Sequence, residues 1–177
     1  TPLTLALPAS PNLDGAHPLP LRAVALFQPF AAVLVVVAFY MRTGLAAALL
    51  TASWILLTGL VALFGLWRVW QRWMMRKSLL PMEELCIDAG LAYVTVGSGW
   101  LFLSRWGLNP LGFSGTIVLL TAVHFHYAGF AAPILAGLAG RKIRSGIARK
   151  LYLPAAAGVM AGPPLVEHPI MAGFDDR

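Results

Sequence analysis

Residues 43–67, TGLAAALLTASWILLTGLVALFGLW, contain no Asp, Glu, Lys or Arg, and neither do residues 106–140. Apolar runs of this length constrain the chain more than any other feature. About 20 helical residues cross a bilayer core roughly 30 Å thick, and backbone inside that core has to bond internally. Across all 177 residues, 11% are charged and 59% hydrophobic, whereas soluble globular domains carry about 25% charged residues. That deficit excludes a water-soluble enzyme and a disordered protein. The chain reads as an all-α polytopic transmembrane bundle.

Hydropathy predicts four spans, at residues 23–41, 45–67, 83–103 and 114–139, within a transmembrane domain covering 22–177. Only Arg42-Thr43-Gly44 separates the first two, so they form an antiparallel hairpin. Pro29 is expected to kink the first, and Pro81 sits where a helix start tolerates proline. A fifth, broken candidate at 151–172 is interrupted by Pro154 and Gly162-Pro163-Pro164 and carries Glu167 and His168. Residues 1–21 read as a Pro-rich arm, because proline this dense removes helix donors. The arm lacks a basic n-region, so it is not a signal peptide. The chain opens on Thr1, as a processed product or a piece of a longer chain does. A single cysteine, Cys86, excludes a disulfide framework and zinc-finger spacing.

Charge sets the expected orientation. Two hairpins place Arg22, Arg68, Arg72, Arg76, Lys77, Arg141, Lys142, Arg144, Arg149 and Lys150 at one end. The other end receives only Arg42 and Arg105. The positive-inside rule then puts the basic loops on the cytoplasmic side. These side chains read as orientation and lipid contacts, and no motif supports nucleic-acid binding. Tryptophans near span ends suit headgroup depth, with Trp54 lying deeper.

Ionisable groups inside hydrocarbon are candidates for function by default. Glu83, Glu84 and Asp88 open the third span. There they either answer the helix N-terminus, partner the Arg68–Lys77 cluster or form a proton or cation entry. His124 and His126 lie in the middle of the fourth span. Two residues turn an α-helix by about 200°, so a regular helix points the pair to opposite sides and they cannot chelate one ion. Local unwinding before Pro133 is the alternative. Gly97-Ser98-Gly99 matches their depth, and small residues allow close helix approach. Ser98 is therefore a candidate partner for a histidine, with Thr121, Tyr127 and Tyr93 within reach.

The segments EELCIDAGLAYVTVGSGWLFLSRWGLNPLGF and TIVLLTAVHFHYAGFAAPILAGLAGR resemble the YndJ-like family of bacterial integral membrane proteins. HFHYAGF, at 124–130, carries the resemblance most specifically. The family is commonly labelled transporter-like. The resemblance therefore implies a small-solute or proton-coupled transporter and singles out His124 and His126. Two other readings stay open. One is an accessory subunit of a larger membrane complex, or a homo-oligomer, holding haem or a chlorophyll-type pigment through a histidine. The other is a membrane enzyme acting on lipid or isoprenoid. Internal repeats of the kind common in carriers are absent, as are phosphate-binding loops and nucleophile elbows.

Overall fold

A computed structural model of the chain describes residues 19–76, 81–143 and 145–172, with side chains over 24–74, 81–143 and 145–165. Most of the Pro-rich arm, Lys77 and Arg144 lie outside the described residues, as do the side chains of Arg22, Arg76, Glu167 and His168. The described residues are helical throughout, without strands. Helices α1 (Leu19–Tyr40) and α2 (Leu45–Arg76) form the first hairpin, and α3 (Met82–Trp106) returns beside α2. A 3₁₀ turn at Pro110–Gly112 leads into α4 (Gly115–His124). A π-helical segment, Phe125–Ala131, then passes without a break into α5 (Ala132–Lys142), and α6 (Gly146–Ala172) closes the bundle.

Three helical stretches are long and apolar enough to cross a membrane: Leu45–Met74, Met82–Trp106 and Gly115–Lys142. The described apolar part of α1, Val24–Tyr40, is shorter. The fifth element corrects the expectation of a broken span: α6 is one continuous helix through Pro154, Pro163 and Pro164. Its inner face supplies the reason. Tyr152 and Ala156 are buried against Cys86, and Met160 packs on the same cluster. Tyr93 also donates a 3.0 Å hydrogen bond to the Met160 carbonyl. Anchors every fourth residue hold a helix that its prolines weaken.

α3 is the central element. Its core face places Ile87, Leu91 and Val94 against Val61 and Phe64 of α2, Val24 of α1 and Ile134 of α5. Glycine lets the backbones close up. A Cβ on Gly137 would sit 2.5 Å from the Glu83 carbonyl and 2.6 Å from Ile87, and one on Gly90 would sit 2.9 Å from the Phe130 carbonyl. Close approach at small residues is how helices associate inside lipid, where burial gives no driving force.

An ionic cluster ties one end together. Glu84 accepts from Arg68 at 2.6 Å and from Arg141 at 2.7 Å. Asp88 accepts from Arg72 at 2.6 Å and from Arg68 at 3.1 Å. Arg149 of α6 pairs with Glu83 at 3.0 Å. These arginines were expected as orientation and lipid contacts, or, for the Arg68–Lys77 cluster, as partners of the carboxylates that open the third span. The pairing alternative is what Arg68 and Arg72 show, with Arg68 buried, and Arg141 and Arg149 bind carboxylates of α3 as well. Burial dictates this, because a charge taken out of water has to be paired. The pairing also explains why α2 runs well past the predicted stop at residue 67: hydropathy ends there, but Arg68 and Arg72 still have partners across the groove.

Removing one member of a buried ion pair costs about 3–5 kcal/mol, because the other charge is left uncompensated. Asp88→Asn strips both Arg68 and Arg72 of a partner. Its melting temperature in detergent is expected to fall clearly below wild type. Glu83→Gln, whose partner Arg149 is the most exposed of the set, is expected to change it far less. Parallel thermal unfolding in one detergent measures both.

Candidate functional site

The polar centre lies in the first third of α2. Trp54 is nine residues from the start of α2 and fourteen from Arg68, so about 14 Å separate it from the helix start and about 21 Å from the ionic cluster. Its indole N–H donates to Nε2 of His126 at 3.0 Å. On the other side of the imidazole, Nδ1 lies 2.7 Å from the Ala122 carbonyl. An indole nitrogen only donates and a carbonyl only accepts. Together they fix His126 as the neutral tautomer with its proton on Nδ1. The two rings are also stacked, 26° apart in plane.

The π segment makes this arrangement possible. In its register each N–H reaches five residues back, as Ala132 N–H does to the Tyr127 carbonyl. The Ala122 carbonyl, which also accepts from the backbone N–H of Phe125 at the end of α4, takes the imidazole proton as well. Local unwinding was one of the two expectations for the HxH stretch, and it is what the structure shows. Pro133, which brings no N–H, follows directly where the helix returns to α register.

Gly97 on α3 faces this point. A Cβ there would meet His126 Nδ1 at 2.7 Å and the Ala122 carbonyl at 3.1 Å. The expected packing of α3 on the histidine helix at Gly97-Ser98-Gly99 is therefore present. Ser98, however, bonds elsewhere. It donates to the Val94 carbonyl at 2.7 Å and accepts from Thr58 at 3.0 Å. Thr95 adds a 2.8 Å bond to the Thr58 carbonyl. Ser98 thus joins α2 to α3 without touching a histidine, because its Cβ leaves α3 toward α2.

The remaining expected residues are spread out. His124 turns away from the centre; its Nε2 is buried without a hydrogen-bond partner among the described residues, and its ring meets Phe125 edge-on. Thr121 is half-buried on α4. Tyr127 is 72% exposed and stands on the rim. Glu83, Glu84 and Asp88 belong to the ionic cluster, not to this centre. Sequence reasoning missed Trp54 and Thr58 as partners. The signal was the depth of Trp54, which places a donor far from any headgroup.

Two cavities adjoin the centre and share Trp54, His126 and Tyr127 as walls. One has a volume of about 270 Å³ and also reaches Gln28, Thr58 and Phe130. The other, of about 400 Å³, runs along Ala32, Val36 and Phe39 of α1. Among the described residues both open between α1 and the histidine helix, because α1 packs on α2. Among the described residues no three His, Cys, Asp or Glu side chains converge on a metal position. With both nitrogens of His126 engaged, that ring has no lone pair to offer haem or a pigment while the Trp54 bond stands.

The family described as YndJ-like protein matches the chain over residues 1–173. A Bacillus subtilis (strain 168) protein, described as uncharacterized membrane protein YndJ, is 38% identical over 91 residues. The matched segment is 51% of this chain and 16% of that protein. No solved structure matches.

Nitrogen-15 NMR of histidine-labelled protein checks the site. His126 is expected to show a protonated Nδ1 and an unprotonated Nε2. Gly97→Ala, which crowds the ring, is expected to shift both signals. Gly99→Ala, whose added Cβ meets nothing within 4 Å, is expected to leave them in place.

Proposed function

The chain belongs to the YndJ-like family, and on that premise we propose that it is a small-solute transporter centred on Trp54 and His126. The observation that carries the reading is the position of this pair. It forms the wall common to two cavities at mid-depth of a helical membrane protein. Cofactor ligation finds no support at His126, whose ring nitrogens are both bonded. A proton-coupled variant of the reading rests on the same ring: a second proton on His126 would set N–H against indole N–H and break the link to α2.

In this reading α1 and α6 complete the membrane crossings begun by the three longest stretches, and the Arg68–Arg149 end faces the cytoplasm. The pairing of Arg68, Arg72, Arg141 and Arg149 at one end of the bundle supports that orientation. Cysteines placed at Arg42 and Lys150 in a Cys86→Ser background test it. An impermeant maleimide added outside intact cells is expected to label position 42 and spare position 150.

Proteoliposomes test the transport reading. Vesicles holding wild-type protein are expected to exceed empty vesicles either in glycerol-driven swelling or in proton entry reported by pyranine. His126→Ala and Trp54→Phe are expected to lose most of that excess. Equal rates in all vesicles would leave the pair as structural glue between helices.

A further inference from the structure

The chemistry of the cavity walls narrows what can occupy them. Along α1 the lining runs from Val24 through Gln28 and Ala32 to Phe39. These residues recur at helical spacing on one face and span about 22 Å at 1.5 Å per residue. The two cavities therefore form one groove along α1 with Trp54 and His126 at its waist. Among the described residues no Asp, Glu, Lys or Arg lines either part. Both ring nitrogens of His126 are already engaged in hydrogen bonds.

The polar groups of the lining are nearly all spent. Trp54 N–H serves His126. Thr58 serves Ser98 or the Trp54 carbonyl, at 3.0 and 2.9 Å. Gln28 and the exposed Tyr127 hydroxyl are the exceptions: among the described residues neither makes a hydrogen bond, and Gln28 lines the 270 Å³ part. An amide carries strong donors and a strong acceptor, and leaving them unpaired in hydrocarbon is costly. Around it stand Trp54, Tyr127 and Phe130, which offer flat faces. The 400 Å³ part beyond the waist is walled by aliphatic side chains such as Val35, Leu119 and Val123.

We propose that this groove is a binding site for a neutral isoprenoid quinone entering sideways from the bilayer. The quinone ring lies among Trp54, Tyr127 and Phe130, one ring carbonyl accepts from the Gln28 amide, and the prenyl tail follows α1 past Ala32 toward Phe39. A neutral head fits the uncharged walls. A flat head fits the aromatic ones, and a carbonyl answers the unmatched amide. This deepens the reading above and rests on it for one point only, that the groove around Trp54 and His126 is a ligand site.

The test uses the full chain in detergent with a decyl-substituted benzoquinone as probe. Bound quinone is quantified by its reduced-minus-oxidised ultraviolet band after removal of free probe. Wild type is expected to retain about one quinone per chain. Gln28→Leu is expected to bind at least tenfold more weakly, and Ala32→Phe, which fills the waist, to bind none. Without ligand, Gln28→Leu is expected to melt no lower than wild type, because it removes an unpaired amide and breaks no bond. A prenyl alcohol of similar length, lacking the ring, is expected to compete at least tenfold less well.

Equal quinone retention by all three proteins would mean micelle partition and overturn the proposal. So would equal competition by the alcohol, or a Gln28→Leu variant that loses stability along with binding. If quinone fails to bind while His126-dependent flux persists, this inference alone falls. If both fail, the ligand site itself falls.

Discussion

A polar side chain in hydrocarbon has to find a partner there, and the pairing of Trp54 with His126 is the point at which this bundle meets that demand. The indole N–H cannot reach headgroups from mid-depth. The acceptor comes from another helix, and the imidazole that supplies it is itself held by a carbonyl of its own helix. Thr58, one turn along α2, extends the same logic to Ser98 and Thr95 of α3. Three helices are thus joined by directional bonds where apolar contact alone would let them slide. Bonds of this kind are of modest strength in membranes. Their contribution is register: they hold only when α2, α3 and the π segment sit at one relative height.

The ionic cluster sets register at the other level. Glu84 and Asp88 lie one turn apart on α3, and Arg68 and Arg72 one turn apart on α2. Each carboxylate meets both arginines, so a one-residue slip of either helix would break every pair. Arg141 and Arg149 bring α5 and α6 to the same end. Buried ion pairs add little net stability over an apolar replacement. Their more secure consequence is that the four helix ends have one arrangement in which every charge is answered. Cys86 and Tyr152 fill the space beneath them.

What the sequence made legible follows from which forces are local. Apolar runs report on hydrocarbon directly, so the helical membrane architecture was readable from residues 43–67 and 106–140 alone. Gly97 was readable as a contact because depth along two antiparallel helices can be counted. The partners of Ser98 and Trp54 were not, because they depend on which way α2 rotates about its own axis, and an all-apolar helix gives no periodicity to fix that. For the arginines the sequence left lipid contact and pairing with the α3 carboxylates as alternatives, for a related reason. Position relative to the bilayer follows from sequence, whereas burial against Glu84 and Asp88 depends on how closely α2 and α3 approach. Pro154, Pro163 and Pro164 read as breaks because local propensity disfavours proline in a helix interior. Packing of Tyr152, Ala156 and Met160 overrides it.

The π segment explains why HxH spacing, unhelpful in a regular helix, is useful here. In α geometry His124 and His126 diverge, and every backbone carbonyl around them is already taken. In the π segment His126 turns toward α2 and its Nδ1 shares the Ala122 carbonyl with the backbone, while His124 remains on the opposite side against Phe125. The cost of the wider turn is lowered where Pro133 would interrupt the α pattern in any case. Gly129 within the segment lets the swollen backbone lie against Tyr93, a contact a Cβ would obstruct at 3.0 Å. The spacing of the histidines, the glycine and the proline after them therefore act as one unit.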